Sequence, residues 1–129
     1  MKRLLLVDDD DDFREILAVA LDFSGYEISG VEGGTEALAW LADHPLPDLI
    51  LIDLMMPGMS GAELKARLDG AAAYAAVPVL VLSGDTRLAE HAKAMGAAGW
   101  LAKPVALHDL IARIEALLWS GGDAEQSTA

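Results

Sequence analysis

The sequence has no cysteine. That excludes disulfides, thiol catalysis and cysteine-type zinc sites, and it agrees with a reducing compartment. Basic residues are scarce: Lys and Arg number 9 against 21 Asp and Glu, a formal charge of -12. Such a balance argues against nucleic acid as a direct partner, because phosphate backbones are bound by clusters of Lys and Arg; an acidic protein attracts cations. Long apolar runs are also missing, so no stretch can span a bilayer. Met1-Lys2-Arg3 resembles the start of a signal peptide, but Asp8 cuts the apolar segment after four residues, and a cytoplasmic location is expected. Gly33-Gly34 lacks the spacing and the following Lys of a phosphate-cradling loop. The run Asp8–Asp12 lacks the Gly and Glu positions of an EF-hand, and no internal repeat is present.

What the chain does have is a core. Its 129 residues are 53% hydrophobic, enough for one domain. Leu49-Ile50-Leu51-Ile52 runs without interruption into Asp53, and Pro57-Gly58 follows shortly after. This pattern predicts a buried strand ending at a carboxylate, followed by a tight loop. An unpaired buried carboxylate costs far more than its packing contributes, so Asp53 is expected to bind or to receive something. In open α/β sheets the carboxyl ends of strands are where sites form.

Leu4-Leu5-Leu6-Val7 predicts another buried strand, with Asp8 and Asp9 at its end. Asp10, Asp11 and Asp12 suit the cap and first turn of a helix, facing the positive end of its dipole. Asp8 and Asp9 lie outside that explanation; adjacent like charges repel by up to about 4 kcal/mol, and a cation between them is expected. The helix that follows presents Phe13, Ile16, Leu17, Ala20 and Leu21 on one face and ends at Ser24-Gly25.

Residues 26–31 alternate as a half-exposed strand, and Thr35 is expected to cap a helix carrying Ala37, Leu38 and Leu41 inward. Trp40 falls off that stripe and is expected to be partly covered, with His44 solvated beyond it. Ser60-Gly61-Ala62-Glu63 is a capping box opening a helix with Leu64 and Leu68. Residues 77–82 form a strand ending at Ser83. A helix with Leu88, Ala92 and Met95 stops at Gly96, and Gly99-Trp100-Leu101-Ala102 is a last strand before Lys103-Pro104. A final helix aligns Leu107, Leu110, Ile111, Ile114 and Leu118, and residues 120–129 have the composition of a disordered tail.

Five strands alternating with five helices imply a parallel sheet covered on both faces, with Asp8, Asp9, Asp53, Ser83 and Lys103 at one edge. Each alone is most often a cap or a solvated strand end; together they form a site.

At these residues the chain resembles the receiver domain of bacterial two-component response regulators, of the chemotaxis-regulator type. The matching stretches are Leu5-Leu6-Val7-Asp8-Asp9 with Phe13-Arg14, residues 50–61, residues 78–84 and residues 96–104, and the resemblance as a whole covers residues 4 to 118. The resemblance implies a flavodoxin-like doubly wound fold with strand order 2-1-3-4-5, a receiver domain over 1–119, and a tail over 120–129. It implies that Asp53 accepts a phosphoryl group from a histidine kinase or phosphotransfer protein. Asp8, Asp9, Asp53 and the carbonyl of Met55 would hold Mg2+; Ser83 would contact the phosphoryl group, and Lys103 would pair with it through a cis bond to Pro104. Trp100 stands at the family's aromatic switch position.

Charge neutralisation by a metal and an ammonium is what a carboxylate needs in order to attack a phosphoryl donor, and Asp53 is ionised at neutral pH. Such a domain is a signalling element rather than an enzyme in the ordinary sense. Two features depart from the family: the stretch between Ser83 and Lys103 is short, and Val105 stands where an aromatic residue is common. Since few residues follow the last helix, output is expected through protein contacts, unless the sequence is a piece of a longer chain. Two other readings compete. An aspartyl phosphatase of the haloacid dehalogenase type is suggested by Asp8-Asp9-Asp10, and a phosphorylation-independent pseudo-receiver by the fold alone.

Overall fold

In the computed structural model, residues 1–119 are described; the expected tail, 120–129, lies outside the described residues. The apolar runs are strands because both of their faces are covered. β1 (Arg3–Val7), β3 (Leu49–Asp53) and β4 (Val79–Ser83) are buried almost throughout. β2 (Glu27–Val31) and β5 (Gly99–Ala102) are the half-exposed edges. All neighbours are parallel and the order is β2-β1-β3-β4-β5, the doubly wound arrangement expected.

Strand alternation sends side chains to two separate cores. Leu4, Leu6, Leu49 and Leu51 pack with Leu17 and Leu21 of α1 (Asp11–Phe23) and with Leu110 and Ile114 of α5 (Leu107–Leu118). Leu5, Val7, Ile50 and Ile52 pack on the opposite face. Their partners come from α2 (Gly34–Asp43), α3 (Gly61–Asp69) and α4 (Leu88–Ala94).

Several local expectations change. Ile16 is 69% exposed, because the buried stripe of α1 is centred on Leu17 and Leu21 and Ile16 falls beyond its edge. With Val19 and Phe23 it forms a second, outward apolar row at helical spacing. Leu107, the first residue of α5, is likewise 40% exposed, the buried stripe of that helix being Leu110 and Ile114. Thr35 does not cap α2: the helix begins one residue earlier, at Gly34, with Gly33 as an N-cap that offers no side chain. Between Ser83 and Lys103 lies α4, which at 7 residues is the shortest of the five helices among the described residues. Trp40 is partly covered, and His44 stacks on it at 4.2 Å.

Candidate functional site

The site is built from strand ends. Asp8 continues the alternation of Leu4 and Leu6, Asp53 that of Leu49 and Leu51, and Lys103 that of Leu101, so all three belong to the α1/α5 side of the sheet. Asp8 is fully buried and Asp53 is 7% exposed, whereas Asp9 is exposed. One carboxylate oxygen from each of Asp8, Asp9 and Asp53 lies within 4.8 Å of the other two.

Lys103 reaches into this cluster. Its Nζ donates to Asp8 Oδ2 at 2.8 Å and lies 3.6 Å from Asp53 Oδ2. The Lys103–Pro104 peptide bond is cis. Burial pushes the Asp53 carboxyl up to about 6. Lys103 and the Met55 N–H pull it down, while Asp8 and Asp9 push it further up. Asp53 is therefore still mostly ionised at neutral pH, but at a cost that the neighbouring ammonium does not offset.

The surrounding backbone fixes these groups. Asp8 Oδ1 accepts from the N–H of Asp10 at 2.9 Å, and Arg14 Nη1 donates to the carbonyl of Asp8 at 2.7 Å. Gly30 of β2 leaves room for Arg14, since a Cβ there would lie 2.9 Å from its Cγ. Behind Asp53, residues 54–60 form a loop closed by the Gly61 N–H donating to the carbonyl of Leu54 at 3.0 Å. The capping box of Ser60 and Glu63 then starts α3. The Ser60 N–H holds the Glu63 carboxyl below its ordinary range.

Ser83 continues the other alternation, that of Val79 and Val81, and so lies on the α4 side. Its hydroxyl, 1% exposed, accepts from the N–H of Asp85 at 3.1 Å, and its carbonyl accepts from the N–H of Lys103 at 2.8 Å. Trp100 packs against the core on that same side, with Lys93 Nζ 5.6 Å from its ring centroid.

The structure thus brings Asp8, Asp9, Asp53 and Lys103 into one cluster and places Ser83 and Trp100 on the opposite side of the sheet from it. Two contributors are not apparent from residue type alone. Arg14 holds the Asp8 carbonyl, and Phe13, counted by its spacing among core residues, sits 4.2 Å below the Lys103 ammonium. A cluster of hard oxygen donors, one of them buried and destabilised as an anion, has the chemistry of a divalent-cation site.

Comparison with known proteins gives a consistent result. The response regulator receiver domain family matches residues 4–115. The phosphate regulon transcriptional regulatory protein PhoB of Pseudomonas aeruginosa is 36% identical over 126 residues, covering 96% of this chain and 55% of its own length. The chain thus spans about half the length of the curated relatives it matches. Among solved structures, the chemotaxis protein CheY4 of Vibrio cholerae superposes with a TM-score of 0.85 at 32% identity, covering 92% of this chain and 99% of that one. The response regulator TrrA of Thermotoga maritima, solved in complex with Mg2+ and BeF, gives 0.82 at 30% identity, covering 92% and 100%.

Proposed function

The chain belongs to the response regulator receiver domain family, and from that premise we propose that Asp53 is the acceptor of a phosphoryl group delivered by a histidine kinase or histidine phosphotransfer protein. The observation that carries this reading is the position of Asp53: nearly buried at the end of the central strand, among Asp8 and Asp9 and 3.6 Å from the Lys103 ammonium. In transfer, an Asp53 carboxylate oxygen forms the new bond to phosphorus while the bond from phosphorus to the donor's leaving group breaks. No proton has to leave Asp53. Water later attacks the phosphorus of the acyl phosphate and releases inorganic phosphate, which resets the domain.

Asp8, Asp9, Asp53 and the Met55 carbonyl would hold Mg2+, for which the oxygen donor set is suited. A bound magnesium ion would neutralise the repulsion between the carboxylates and an incoming phosphoryl group. Lys103 supplies a second positive charge beside Asp53, and backbone N–H groups of the loop after Asp53 supply donors. Although its side chain leaves β4 on the α4 side, Ser83 ends that strand next to the register partner of Asp53, so its O–H could turn over the sheet edge to donate to a phosphoryl oxygen while the hydroxyl still accepts from the Asp85 N–H. The Ser83–Trp100 side of the sheet would read the change, repacking the face of α4, β5 and α5 that contacts a downstream protein.

We place this unit in residues 1–119 and in the cytoplasm. Among the described residues no helix is long and apolar enough to cross a membrane. The test is label transfer from acetyl phosphate with Mg2+. Incorporation is expected in the parent protein and absent with a chelator, in Asp53→Asn and in Asp9→Asn. Undiminished labelling of Asp9→Asn would overturn the metal assignment, and labelling of Asp53→Asn the acceptor.

A further inference from the structure

Lys103 touches two of the three carboxylates, but its third neighbour is not charged. The ammonium lies over the ring of Phe13, 4.2 Å from the centroid, well inside the range of cation–π attraction. It is the shortest of three such pairs among the described residues, the others being 4.6 Å for Lys2 on Trp119 and 5.6 Å for Lys93 on Trp100. Phe13 is not free to drift. Its ring packs against the α1/α5 core and lines an apolar groove with Leu17, Pro104 and Val105.

The backbone beneath the ring is tied to the site itself. The N–H of Phe13 donates to Asp10 Oδ1 at 3.1 Å, and the N–H of Asp10 donates to Asp8 Oδ1 at 2.9 Å. From the ring, contact passes to Lys103, whose Nζ returns to Asp8 Oδ2 at 2.8 Å. Asp8, Asp10, Phe13 and Lys103 therefore form a closed circuit. Asp10, the N-cap of α1, links the two residues: its side chain holds the Phe13 backbone and its own N–H is held by Asp8.

We infer that Phe13 is a positioning residue for Lys103, a neutral platform that keeps the ammonium facing Asp53 when its contact with Asp8 is given up. This rests on the assignment of Asp53 as acceptor. The physical reason lies in competition. Asp8 Oδ1 already accepts from the Asp10 N–H and Oδ2 from Lys103, so a divalent cation held by Asp8 competes with the ammonium for the same carboxylate and weakens that contact. A carboxylate or carbonyl in place of Phe13 would then hold the ammonium as a competing anion. A ring face attracts it without a formal charge and without titrating, and lets it slide towards Asp53 across the face. The ring also shields one side of the ammonium from water, which strengthens its attraction to the phosphoryl group.

The test replaces Phe13 with a series of phenylalanines carrying one, two and three ring fluorines, which drain the face of negative potential while nearly preserving shape. The phosphorylation rate from acetyl phosphate should fall stepwise, by about three- to thirtyfold over the series. A role in packing alone would leave the rate flat, and that result overturns the inference. Placement is read independently by NMR, without any phosphoryl donor. The Lys103 Cε protons should be shifted upfield by the ring in the parent, and should lose that shift in Phe13→Leu. Asp10→Ala should reduce the shift and Asp10→Asn, which still caps, should keep it. Unshifted Lys103 protons in the parent would also overturn the inference. If the parent accepts no phosphoryl group at all, the acceptor assignment fails, and the NMR arm alone decides whether the ring holds the ammonium.

Discussion

Asp53 is held at a cost, and that cost has a measurable sign. Because burial raises its carboxyl to about 6, the folded protein binds a proton more readily than the unfolded chain does between about pH 4 and pH 6. Stability contributed by this residue is therefore present below pH 4 and is lost as pH rises to 6. The loss amounts to about 3 kcal/mol at neutral pH. In urea unfolding without divalent cation, the stability advantage of Asp53→Asn over the parent is expected to grow by about that much between pH 4 and pH 7. Magnesium should shrink the advantage, since it stabilises only the parent's intact cluster. A difference that is independent of pH would contradict the account of a strained acceptor. At this scale the sequence was informative about charge and position: Asp8, Asp9, Asp53 and Lys103 stand at strand ends, which the apolar runs before them locate. Phe13 and Arg14 could not be read the same way. Their contacts, with Lys103 and with the Asp8 carbonyl, cross from α1 to strand ends, and neither spacing nor residue type specifies such a contact.

Among elements, α3 packs directly against the end of the Asp53 strand. A Cβ at Gly61 would lie 2.6 Å from the Asp53 carbonyl and 2.9 Å from the Leu54 Cα, both of them backbone atoms that cannot yield cheaply. Gly61→Ala is expected to cost about 1–3 kcal/mol and to slow phosphorylation, because the helix can make room only by displacing the loop after Asp53. Equal stability in a denaturant titration would show that the approach is not tight. One position earlier, Ser60→Ala removes the capping box and should cost about 0.5–2 kcal/mol by the same measurement. That box was visible in the sequence, as were the strands, because local hydrogen-bond chemistry and uninterrupted apolar runs are local signals. The errors are at the margins of helical stripes. Ile16 lies one residue from Leu17 and Leu107 three from Leu110, so both fit the periodicity, yet whether a residue at the edge of a stripe is covered depends on how far the sheet extends beneath it. Thr35 was misplaced because the link after β2 is shorter than its side-chain chemistry suggests: the strand ends at Val31 as expected, but the N-cap is Gly33, two residues before Thr35.

Across the molecule, the sheet separates two chemistries. The cluster of Asp8, Asp53 and Lys103 shares its face with α1 and α5, while Ser83 and Trp100 share the other with α2, α3 and α4. If Ser83 and Trp100 read out a phosphoryl group on Asp53, as proposed, β4 offers the route between the faces, since Ser83 follows Leu82, the register partner of Asp53. In a Trp40→Phe, Trp119→Phe background, beryllium fluoride with Mg2+ is expected to change Trp100 fluorescence, and Ser83→Ala should suppress the change while the mimic still binds. An unaltered signal in Ser83→Ala would send the readout through another element. Such a switch is a shift of a few kcal/mol between pre-existing states, which the half-buried Trp100 ring under Lys93 is placed to report.

The central claim, that Asp53 is where the phosphoryl group attaches, is tested most directly by reductive trapping. Borohydride converts an aspartyl phosphate to homoserine, and tandem mass spectrometry of the digested protein, after incubation with acetyl phosphate and Mg2+, localises the change. The account predicts homoserine at position 53 alone. Homoserine at Asp8 or Asp9, or a phosphate that survives borohydride on a different residue type, would contradict it.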